Sequence, residues 1–104
     1  PMFKGKETRY SAEKLLAGEE GIIVGYGQSM TPILKSGQPV KVIPVTPDVE
    51  LKKNDIVFCK VAGHYYLHKI TSIKGSQYQI SNNHGHVNGW VNRRNIYGKV
   101  VEIL

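Results

Sequence analysis

Between residue 21 and the chain end, the sequence is cut into seven short runs rich in Val, Ile and Tyr: 21–25, 39–45, 55–61, 64–73, 77–81, 89–92 and 98–104. Gly, Pro, Asn or Ser punctuates the gaps between them. β-Branched and aromatic side chains suit a pleated, half-buried surface, and the punctuating residues favour turns over helix. A chain broken this often has no room for long helices. Lys74-Gly75-Ser76 reads as a hairpin turn between two of the runs. The one helical signal is Ser11-Ala12-Glu13-Lys14-Leu15-Leu16-Ala17. Ser11 is placed to cap it, Glu13 falls in the first turn and Gly18 stops it. The expected fold is mainly β: a coiled sheet or partly closed barrel with one short N-terminal helix. Residues 1–21 read as a tail with that helix, and 22–104 as the core of a single domain. The 104 residues suffice for a modest core.

Charge and cysteine content narrow the setting. No apolar run approaches the roughly 18 residues of a membrane helix. No charged leader with an apolar centre and cleavage site is present, and Pro1-Met2 suggests that Met2 is the natural first residue. The single cysteine, Cys59, fits a reducing compartment, so a cytoplasmic location is expected. Net charge is +6, unevenly spread. From Ile56 to Val101 no acidic residue occurs, while Lys60, Lys69, Lys74, Arg93, Arg94, Lys99 and all four histidines do. That half should attract an acidic partner.

The chemistry gathers at two places 39 residues apart: Gly27-Gln28-Ser29-Met30-Thr31-Pro32 and Tyr65-Tyr66-Leu67-His68-Lys69-Ile70. A serine hydroxyl is a poor nucleophile until a neighbouring base takes its proton. A glycine turn that presents Ser29, and a strand that carries His68 alongside, would supply such a pair.

Several boxes in order resemble the superfamily of the LexA repressor core and the type I signal peptidases. These are Ser29-Met30-Thr31-Pro32-Ile33-Leu34, Gly37-Gln38-Pro39-Val40, Asn54-Asp55-Ile56-Val57, His68-Lys69-Ile70 and Gly98-Lys99-Val100-Val101. The resemblance implies a serine peptidase with Ser29 as nucleophile and His68 as general base. It implies a protein or peptide substrate lying beside Gly27, Met30 and Pro32, and no cofactor. The family's orienting aspartate falls near Asn83, with Asn88 the next choice. An asparagine carbonyl can fix the histidine tautomer but cannot neutralise an imidazolium, so a slow or inactive enzyme is expected. In the inactive case the groove would only bind a partner protein. The free-standing core resembles a phage or mobile-element protein. Ala17-Gly18 is similar to the small-residue bond that LexA cuts in itself, but the expected helix argues against self-cleavage.

Rival readings rest on other residues. His64, His68, His84 and His86 raise a metal site, which the lack of helping cysteines and carboxylates disfavours. Tyr65, Tyr66, Tyr78, Trp90 and Tyr97 among basic residues raise a nucleic-acid surface, although tyrosines at strand spacing more often pack a sheet. Cys59 reads as core packing.

Overall fold

A computed structural model describes residues 7–104, with side chains from residue 9 onward. The helix, α1 (Glu7–Leu16), is followed by seven strands: β1 (Gly21–Val24), β2 (Pro39–Pro44), β3 (Ile56–Val61), β4 (His64–Lys74), β5 (Gln77–Ser81), β6 (Val87–Asn92) and β7 (Ile96–Ile103). They form one antiparallel sheet in the order β1-β2-β7-β3-β4-β5-β6, curled into a half-barrel. The fold is mainly β with one short helix, as the punctuation of the sequence requires.

One local expectation is corrected, and one gap is filled. α1 starts at Glu7, so Ser11 lies inside the helix and does not cap it. Once Ala12 and Leu15 are buried against the sheet, each residue added upstream gains a helical hydrogen bond at little further cost. Between β6 and β7, Arg93–Asn95 form a 3-10 turn where the sequence showed only a gap.

Both faces of the central strands are covered, and strand alternation divides the core in two. On β3, Phe58 points to one face while Val57, Cys59 and Val61 point to the other. The first face packs Phe58 and Leu67 against Ala12 and Leu15 of α1, and against Met30 and Leu34 from the β1–β2 connection. Gly98 on β7 allows that approach: a Cβ there would stand 2.2 Å from Val42 Cγ1 and 3.0 Å from Leu15 Cδ1. The second face gathers Leu51, Val57, Cys59, Ile70, Ile80 and Ile96. Each such side chain contributes about 1.5–3 kcal/mol when fully buried.

Leu67 and His68 are neighbours on β4, so they take opposite faces. Leu67 joins the helix-covered core, and His68 lies in line with Tyr66 and Ile70 on the other. Two ladder irregularities frame this site. Ile70 pairs Ile80 but Ser72 pairs Gln79, which leaves Thr71 as an extra residue on β4. Ile80 pairs Gly89 but Ser81 pairs Val87, which leaves Asn88 as an extra residue on β6. A bulge re-aims the side chain it carries.

Candidate functional site

Ser29 sits in the connection from β1 to β2, which the chain ties down from within. The Gly27 amide donates to Ser36 Oγ at 2.9 Å, and Thr31 Oγ1 donates to Gln28 O at 2.9 Å. The Leu34 amide returns to Met30 O at 2.8 Å, a single helical turn. Gly27 has φ +111, a left-handed conformation that glycine adopts without strain. Met30 is fully buried in the helix-covered core. Ser29, next to it, stays partly exposed. The anchor and the presented hydroxyl are therefore adjacent residues. Pro32 is exposed, joined to Thr31 by a cis peptide bond.

His68 Nε2 lies 3.1 Å from Ser29 Oγ, and His68 Nδ1 lies 2.7 Å from Asn88 Oδ1. A carbonyl oxygen can only accept, so Nδ1 carries the proton and Nε2 offers its lone pair to the serine hydroxyl. The ring is 3% exposed and stacks on Tyr66 with centroids 4.8 Å apart. Burial pushes its pKa from the ordinary 6.5 down to about 4, while the Asn88 bond pulls the other way. At neutral pH the imidazole is uncharged. It can accept a proton, though as a weak base.

The first-choice orienter, Asn83, is not at His68; Asn88 is. Asn83 instead binds the Ser29 loop. Its Nδ2 donates to Thr31 O at 2.9 Å, its backbone amide to Ser29 O at 2.8 Å, and its Oδ1 accepts from Lys69 Nζ at 2.9 Å. The reason is the bulge. A regular ladder would turn the residue beside Gly89 away from His68, and the extra residue brings Asn88 back to that face. Gly89, at φ +148 with a would-be Cβ 3.1 Å from Val61 Cγ1, is the sequence signal that could have marked it.

Two residues that the sequence assigns to other roles, Lys69 to the basic surface and His84 to a metal site, hold the serine loop. Lys69 reaches Asn83 from β4. His84 Nε2 lies 2.9 Å from Gln28 O and 3.1 Å from Thr31 Oγ1, pinning the β5–β6 turn to the serine turn. Among the described residues no group of three or more His, Cys, Asp or Glu side chains converges as metal ligands would. Cys59 is fully buried, and burial raises its thiol pKa to about 12, so it carries no thiolate at neutral pH. Tyr65, Tyr66, Tyr78 and Tyr97 pack against the two cores, which leaves Trp90 the more exposed ring, with Lys74 Nζ 5.6 Å from its centroid. Ala17–Gly18 closes α1, with both amides bonded back into the helix. That bond is not presented as an extended strand. Among the described residues no helix is long and apolar enough to cross a membrane. No protein-family model matches the chain, and no curated protein matches it either.

Proposed function

We propose that the protein is a serine peptidase acting on a protein or peptide, of the kind represented by the LexA core and the type I signal peptidases. The observation that carries this reading is the chain of contacts Ser29 Oγ–His68 Nε2 and His68 Nδ1–Asn88 Oδ1, at 3.1 and 2.7 Å. A hydroxyl, a bare ring nitrogen and an orienting acceptor in series are what nucleophilic acyl transfer needs.

His68 Nε2 takes the Ser29 proton as Oγ bonds to the peptide carbonyl carbon. The backbone N–H of Ser29 is the simplest donor to the oxyanion that forms. The imidazolium then returns its proton to the departing amine as the C–N bond breaks. Water attacks the acyl-serine by the same relay and frees the acid. Asn88 holds the ring throughout but brings no charge to the imidazolium. The substrate strand would lie along β1, which among the described residues pairs only with β2, its backbone bonds supplying affinity.

A second reading, a groove that binds a partner without cutting it, is favoured by the same neutral orienter and by a base held at about 4. A fluorophosphonate probe separates the two. Labelling of the wild type and not of Ser29→Ala supports the peptidase, and no labelling of either leaves the binding module.

A further inference from the structure

We infer that the groove between the end of α1 and the β6–β7 turn is a docking site for an acidic segment of a partner protein that carries an aliphatic or aromatic anchor. The groove has a volume of about 580 Å³. Ligand-sized clefts fall in that range. Its lining is distinct from Ser29, His68 and Asn88, so the inference stands apart from the proposed peptidase activity.

Three observations set the chemistry of its occupant. Leu16, Val45, Pro47 and Tyr97 give an apolar floor and wall, with Leu16 left 68% exposed at the last turn of the helix. Apolar side chains held open at a concave surface favour an apolar anchor. The rim carries two arginines and no acidic residue. Arg93 Nη2 donates to Thr46 O at 2.7 Å and to Val49 O, so its charge is fixed in place by backbone carbonyls. Arg94 is exposed, and among the described residues no ion pair engages it. The nearby carboxylate, Asp48, accepts from the Thr46 hydroxyl and is held ionised by that bond and by the charge of Arg93, so Arg94 is the guanidinium left for a partner.

The groove therefore presents one fixed and one available guanidinium over an apolar pocket. An arginine fork matches a carboxylate better than a lysine does. The span from Ile56 to Val101, which supplies both arginines, holds no acidic residue. The backbone offers little to a competing strand: Pro44 and Pro47 have no N–H, and the Val45 amide is bonded to Tyr97 O at 3.2 Å. Recognition here falls to side chains.

Fluorescence anisotropy with a fluorescein-labelled peptide, Asp-Glu-Leu-Asp-Phe-Glu, tests the inference on the whole chain. Saturable binding is expected, weakened about tenfold or more by Arg94→Glu, as for reversal of a contacting charge. Leu16→Asp should weaken it similarly, with Leu16→Ser reading the same contact if the aspartate variant does not fold. Ser29→Ala should bind as the wild type does. Absence of binding overturns the inference. So does equal affinity in Arg94→Glu, or equal affinity for a peptide with both anchors changed to serine, which would show general charge attraction only. A labelled single-stranded oligonucleotide that binds through Arg94 and Leu16 while the peptide does not would also overturn it.

Discussion

The two faces of β3 and β4 are built from alternate residues of the same strands, yet they serve different ends. On the helix-covered face every buried side chain in the cluster is apolar, from Ala12 and Leu15 through Phe58 and Leu67 to Met30. On the opposite face the apolar cluster gives way at His68, which is as buried as its neighbours but hydrogen-bonded at both nitrogens. Burial stabilises the first face directly. On the second it fixes a base in one orientation and one charge state, at the cost of lowering its basicity. The difference is one residue of strand register: Leu67 faces one way and His68 the other.

The largest way to break this contrast is on the apolar side. Phe58→Ala removes a ring with no exposed surface that stacks on Tyr65 at 5.7 Å. A loss of about 3–5 kcal/mol is expected for a truncation of this kind, read from urea unfolding, without a change in the His68 titration. A loss under about 1 kcal/mol would mean that this face does not hold the fold.

Acidification breaks the other side. The folded-state pKa of His68 lies below its unfolded value, so the unfolded chain binds the extra proton first. Stability is therefore fully present above about 6.5 and declines as the pH falls towards about 4. The full effect is about 3 kcal/mol. His68→Gln should flatten that part of the stability curve; an unchanged slope would assign the acid sensitivity to other groups.

The two asparagines sharpen the contrast further. Asn83→Ala strands Thr31 O and Lys69 and should cost about 1–3 kcal/mol of stability. Asn88→Ala releases the His68 ring and should slow fluorophosphonate labelling about tenfold or more. Asn88→Asp should raise the labelling rate and move its acid limb to higher pH, because a carboxylate stabilises the imidazolium. Asn83→Asp should do neither. The reverse pattern would return the orienting role to Asn83.

Much of this was legible in the residues. Seven runs separated by turn formers become seven strands, because alternating burial and turn chemistry are local properties. The surroundings of Ser29 and His68 single them out, and the fold brings them to 3.1 Å. What stayed hidden depends on partners distant in sequence. The helix start at Glu7 reflects packing of Ala12 and Leu15 on the sheet, which a capping rule for Ser11 does not contain. The choice of Asn88 over Asn83 reflects one extra residue in a ladder between β5 and β6, and spacing along the chain does not reveal register. Gly89 was the available clue.

The smallest expected effect lies outside both faces. Arg9 and Glu13 pair at 3.2 Å on the exposed side of α1, and Glu13→Gln should change stability by about 0.5 kcal/mol or less, decreasing with salt.

The central claim, that burial holds His68 neutral while Asn88 fixes its tautomer with Nε2 bare towards Ser29, is tested most directly by the nitrogen-15 NMR titration of the His68 ring. The expected spectrum at neutral pH is that of the Nδ1–H tautomer, charging only as the pH falls towards about 4. An Nε2–H tautomer at neutral pH, or charging at the ordinary 6.5, would contradict it.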